Sequence, residues 1–108
     1  MATFDTVREI ALSLPGVEEG TSYGTAAFRV RGKFLARLRE DGETLALRIG
    51  MDEREVLMRA DPEVFFITDH YAGYPAVLIR LSAISRGALE DVLEQAWTSV
   101  APAKLRRR

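Results

Sequence analysis

The chain has 108 residues, a formal net charge of −1 and no cysteine. That length builds one domain around one hydrophobic core and leaves nothing for a second, while the missing thiols exclude disulfides, sulfur-ligated metals and a cysteine nucleophile and suit a reducing cytoplasm. A charge so near zero gives no overall pull toward nucleic acid or anionic membrane, so any such attraction has to come from how charge is arranged locally.

Taken in order, Phe4, Val7, Ile10, Ala11 and Leu14 recur at helical spacing behind Thr3, an N-cap residue type, and Pro15-Gly16 ends this first helix. Asp5 and Glu9 interrupt its apolar run, so no secretory signal is expected, and no apolar run in the chain reaches membrane-spanning length. Val17 to Gly24 reads as a loop. From Ala26 to Leu38 the period changes to two: Phe28 and Val30 alternate with Arg29 and Arg31, and Phe34, Ala36 and Leu38 with Leu35, Arg37 and Arg39. A two-residue loop at Gly32 would set the arginines of one strand beside the apolar residues of the other. A three-residue loop with Gly32 left-handed keeps one face apolar and the other basic, and is the expectation.

Asp41-Gly42 makes the next turn, and Leu45, Leu47 and Ile49 are the inward face of a third strand that carries Arg48 outward. Asp52 with Glu55 three residues on reads as a capping box for a helix from Glu53 to Ala60, closed by Asp61-Pro62. Phe65-Phe66-Ile67 and Ala76 to Leu81 have strand composition. The last helix starts near Ser85 and carries Leu89, Val92, Leu93, Ala96 and Val100 on one stripe before Ala101-Pro102. The expectation is an α+β two-layer sandwich in the order α-β(3)-α-β(2)-α, mainly antiparallel, with helices on one face. One domain spans 1–103, and 104–108 form a frayed basic tail.

The blocks Leu14-Pro15-Gly16-Val17, Tyr23-Gly24, Ala27-Phe28-Arg29-Val30, Gly32-Lys33, Thr68-Asp69-His70-Tyr71 and Gly73-Tyr74-Pro75 resemble the signature of the MmcQ/YjbR family, and the resemblance runs over nearly the whole chain. It implies a bacterial protein with a two-layer α+β fold similar to that of secretion chaperones. It also implies a DNA-binding candidate, through a double-wing arrangement of hairpins. Fold likeness does not carry function, so the residues have to argue it.

Two constellations offer themselves. Residues 25 to 39 hold Arg29, Arg31, Lys33, Arg37 and Arg39 and no acid; with Arg48 they make a basic stripe able to follow phosphates. Glu40, Asp41 and Glu43 at the far turn oppose that reading. The second is the loop Thr68 to Pro75, whose His70, Tyr71 and Tyr74, with Tyr23 and a roof from Trp97, would form a small pocket with polar tips. His70 is expected partly buried beside Tyr23 or Tyr74. Catalysis is not expected: Asp69 and His70 are adjacent and point apart in extended chain, no serine sits in a nucleophile elbow, and a single histidine with scattered carboxylates falls short of a metal site. The sequence thus reads as a cytoplasmic, non-catalytic binding protein without cofactor, metal or membrane contact, a monomer or weak dimer. DNA is its first candidate partner, and a small molecule or protein held by the Tyr/His loop is the alternative.

Overall fold

A computed structural model describes residues 2–106. Helix α1 (Phe4–Ser13) opens with a reciprocal cap, the Thr3 hydroxyl accepting from the Thr6 N–H and the Thr6 hydroxyl from the Thr3 N–H, and buries Val7, Ile10 and Ala11. Strands β1 (Val17–Ser22), β2 (Thr25–Val30), β3 (Lys33–Leu38) and β4 (Thr44–Arg48) follow as a meander. Then come α2 (Met51–Ala60), the two-residue β5 (Phe65–Phe66), a 3₁₀ turn (Asp69–Tyr71), β6 (Ala76–Arg80), α3 (Arg86–Val100) and a short α4 (Ala103–Arg106). All neighbours in the sheet, ordered β1-β2-β3-β4-β6-β5, are antiparallel. Phe28, Val30, Ala36, Leu45, Leu47, Val77 and Ile79 face Val7, Ile10, Leu89, Leu93, Ala96 and Trp97 across one core. This is the α+β two-layer arrangement read from the sequence. Among the described residues no helix is long and apolar enough to cross a membrane.

The largest departure is β1, expected as a loop. It pairs with β2 from Val17↔Val30 to Ser22↔Thr25 as an edge strand. Four consecutive residues of it, Glu18 to Thr21, are exposed, so it has no apolar alternation and its pairing comes entirely from β2. The turn Tyr23-Gly24, with φ of 53° and 81°, is the two-residue form that joins strands of native twist.

The β2–β3 turn has the same form, Arg31 and Gly32 at φ 51° and 84°, and not the expected three-residue loop. Val30 pairs with Lys33 and Arg29 with Phe34, after which the register shifts so that Phe28 meets Ala36 and Ala27 meets Arg37. The extra residue is Leu35, a bulge that restores parity inside the strand. Arg29 and Arg37 therefore share the face away from α1 and α3 as expected, and Ala36 and Leu38 point to the core. Phe34, before the bulge, is corrected to the arginine face.

Two helix ends also differ from expectation. Helix α2 starts at Met51 with Gly50 as N-cap and no side-chain cap bond, so Asp52 and Glu55 form no capping box; the Glu53 carboxylate folds over Gly50 instead. Ser85 does cap α3, its hydroxyl accepting from Ala88 N–H at 3.2 Å. Residues 104–106 of the expected frayed tail are helical, as part of α4: Arg106 Nη1 donates to the Ala101 carbonyl at 2.7 Å and Leu105 packs on the core. Arg107 and Arg108 lie outside the described residues.

Candidate ligand cleft on the sheet face opposite the helices

The face away from the main core is not open to water. Register places Ala27, Arg37, Ala46, Leu78 and Phe66 side by side across five strands, and Ala27, Ala46 and Leu78 are all buried. The long cations Arg37, Arg39 and Arg80 on this face are each stacked on a ring. The guanidinium carbon of Arg37 is 5.4 Å from the centroid of Tyr23, that of Arg39 5.5 Å from Tyr71, and that of Arg80 4.0 Å from Phe66.

That layer changes the expected basic stripe. Arg37 has only 12% of its side chain exposed and donates to Thr25 Oγ1 at 2.8 Å and Glu40 Oε1 at 3.0 Å. Burial works against the Arg37 charge, but Glu40 and the Tyr71 hydroxyl outweigh it and hold the guanidinium pKa above its ordinary value; Arg37 in turn pulls the Glu40 carboxyl down. Arg39 is half-buried with its Nε enclosed and without a partner, and Arg29 is half-buried beside the Thr21 carbonyl. Arg31 sits in the turn and Lys33 at the hairpin tip, both exposed, and Arg48 is exposed at the end of β4. Of the six cations, Arg37 and Arg39 belong to the stacked layer, Arg29 is half-buried on the Thr21 carbonyl, and Arg31, Lys33 and Arg48 are exposed.

Next to this layer the Tyr/His loop encloses a cleft of about 640 Å³. Tyr23 and Ser22 form one side, His70, Tyr71, Tyr74 and Pro75 the other, and Phe34, Arg37, Glu40, Arg48 and Ala76 the floor and ends. His70 meets Tyr71 edge-on at 5.0 Å between centroids and Tyr74 at 5.9 Å. It is exposed, contrary to expectation, because the 3₁₀ turn lifts its ring off the sheet while Tyr71 takes the inward position. Tyr23 is 88% exposed and Tyr74 57%. Among the described residues no hydrogen bond joins the His70 ring nitrogens or the Tyr23 and Tyr74 hydroxyls to the protein, so these polar tips are available to a ligand. Phe34 joins the cleft only through the Leu35 bulge.

Trp97, expected as a roof, is not part of the cleft. It is 2% exposed in the core on the far side of the sheet, its Nε1 donating to the Pro15 carbonyl at 2.9 Å. The apolar stripe of α3 that carries it packs on the opposite sheet face.

The residue that shapes the cleft is one the sequence did not mark. Arg54, 6% exposed on α2, sends Nη1 to the carbonyls of Tyr71 (3.0 Å), Tyr74 (2.9 Å) and Ala76 (3.0 Å), and Nη2 to that of Ala72 (3.1 Å). Among the described residues it has no carboxylate partner. Four backbone dipoles compensate the buried charge, and one guanidinium fixes the loop. In the sequence it is one arginine in the charged run Asp52-Glu53-Arg54-Glu55; its position on the inward side of a helix otherwise exposed there was the only available signal.

The described residues form an α+β domain whose helices back a six-stranded sheet and whose opposite sheet face carries an aromatic-walled cleft. A family model described as YjbR matches residues 12–99, and the chain belongs to the YjbR family. Uncharacterised proteins of Mycobacterium tuberculosis and Mycobacterium bovis are 32% identical to it over 123 aligned positions, covering 97% of this chain and 93% of theirs. The crystal structure of the Deinococcus radiodurans protein DR2400, with a DUF419 domain, superposes with a TM-score of 0.79 over 99% of this chain and 87% of that one at 21% identity, a likeness of fold.

Proposed function

We propose that this protein is a non-catalytic, cytoplasmic binding protein that takes a small planar ligand in the cleft between Tyr23 and the loop carrying His70, Tyr71 and Tyr74. One observation carries the reading: a concavity of about 640 Å³ walled by aromatic rings, of which His70, Tyr23 and Tyr74 have polar tips without a partner among the described residues. Sites for small ligands are typically concavities of roughly 300–1,000 Å³ with a few convergent polar groups. Tyr23 stacks on Arg37 yet leaves most of its ring exposed, and Tyr74 is more than half exposed, so both present apolar surface that a ligand would cover.

Duplex DNA along the hairpin is the weaker reading. Arg37 and Arg39 are held against rings and Arg37 is paired with Glu40, which leaves Arg31, Lys33 and Arg48, with the half-buried Arg29, to meet phosphates. Backbone amide NMR separates the two. A set of small aromatic acids and heteroaromatic compounds is expected to shift the amides of residues 22–24, 48, 70–74 and 76. A duplex titration that instead shifts 29–33, with steep salt dependence, would overturn the cleft reading in favour of DNA.

A further inference from the structure

The charge pattern of the cleft narrows the ligand. Arg37 and Glu40 lie 3.0 Å apart and cancel, whereas the exposed Arg48 makes no hydrogen bond or ion pair to another described residue. The cleft therefore offers one unspent guanidinium, and its five donors match a phosphate or carboxylate. Aromatic rings line the same cleft. Tyr74 and His70 form one tilted pair, and Tyr23 lines the cleft from a turn where it holds φ 53°. A tyrosine in left-handed backbone is strained, glycine or asparagine being the ordinary choice, and here the strain displays a ring that is 88% exposed. Strained, exposed groups of this kind gather at ligand sites. A ring-stacking wall, one free cation and a volume larger than a single ring needs call for a planar base joined through a spacer to an anion.

Resting on the cleft being the binding site, we propose that its ligand is a nucleoside 5′-phosphate unit, the base stacked between Tyr23 and the Tyr74–His70 pair and the phosphate on Arg48. Free mononucleotides and the nucleotides of a single strand present the same chemistry. Base stacking is tolerant of base identity, so purines and pyrimidines are both expected to bind, purines more tightly.

Calorimetric titration of the full chain with adenosine 5′-phosphate, adenosine, ribose 5-phosphate and a single-stranded tetranucleotide tests this. Adenosine 5′-phosphate is expected to bind at least about tenfold more tightly than adenosine or the sugar phosphate. Arg48→Ala should reduce it to the level of adenosine, and Tyr74→Ala should weaken adenosine and its phosphate alike. Unchanged melting temperatures would show both variants folded. Equal affinity for the tetranucleotide and the mononucleotide supports a free nucleotide as the natural source, and much tighter tetranucleotide binding supports a single strand. Binding of adenosine 5′-phosphate no tighter than adenosine, or untouched by Arg48→Ala, overturns the proposal. If other aromatic compounds shift the cleft amides while neither nucleotide nor tetranucleotide does, the nucleotide assignment alone falls. If nothing shifts them, the cleft reading falls with it.

Discussion

Arg54 on α2 donates to the Tyr74 carbonyl at 2.9 Å, so the ring that walls one side of the cleft is positioned from inside the protein by a helix whose other inward residues, Leu57 and Met58, are only partly buried. The same guanidinium holds Tyr71, Ala72 and Ala76. A loop bearing exposed aromatics is thereby anchored through its backbone, which leaves the His70 and Tyr74 side chains exposed.

Arg54→Met keeps much of the apolar stem but leaves several enclosed carbonyls without a donor. Each unsatisfied buried group costs about 1–3 kcal/mol, in part recovered by water at the loop, so a total loss near 3 kcal/mol is expected. Urea unfolding measures the loss, and hydrogen exchange should show it concentrated in residues 69–76. Arg54→Lys, a point charge with three donors, should restore only part of the stability.

Trp97 gives the opposite pattern. Trp97→Phe removes the bond to the Pro15 carbonyl and opens space in the core, at a cost of roughly 2 kcal/mol. Ligand affinity at the cleft should be unchanged under conditions where the variant is folded, since the indole lies across the sheet. A weakened affinity at constant fold would place Trp97 in the site after all.

The hairpin turn is testable by backbone chemistry alone. Gly32 sits at φ 84°, and Gly32→Ala should lower stability by about 1 kcal/mol although a Cβ there would meet nothing. Arg31, at φ 51°, is in the same backbone region, so Arg31→Asn should raise the melting temperature slightly. Thermal unfolding of both variants checks the pair of opposite signs.

Asp41 supplies a pH signature. Its carboxylate accepts the Glu43 and Thr44 N–H groups at 2.9 Å and the Thr44 hydroxyl at 2.7 Å, and these bonds, the Glu43 N–H first, hold its pKa below the ordinary 3.8. Because the folded pKa is the lower one, the stabilisation is present above the unfolded pKa and is lost as pH falls through the folded value. Asp41→Asn should therefore be less stable than the natural chain at neutral pH, with the gap closing in acid. Melting temperatures from about pH 7 down to about pH 2 test this; a gap that widens in acid would contradict the sign.

Several features were legible in the sequence because their cause is local. Thr3 and Ser85 cap the helices behind which apolar residues recur at 3.6-residue spacing. Phe28 and Val30, and Leu45 and Leu47, alternate because one face of each strand meets a core. His70, Tyr71 and Tyr74 were recognisable as one group because rings and turn residues cluster within eight positions. Tertiary structure alone decided the rest. An edge strand such as β1 takes its hydrogen bonds from a neighbour and needs no pattern of its own. The Leu35 bulge, which sends Phe34 to the cleft, follows from pairing along two strands and not from residue type. Whether an arginine is free or spent depends on what lies within a few ångströms in space: Arg37 beside Glu40 and Tyr23, Arg54 beside four carbonyls, and Arg48 without a partner among the described residues have the same side chain and three different electrostatic fates.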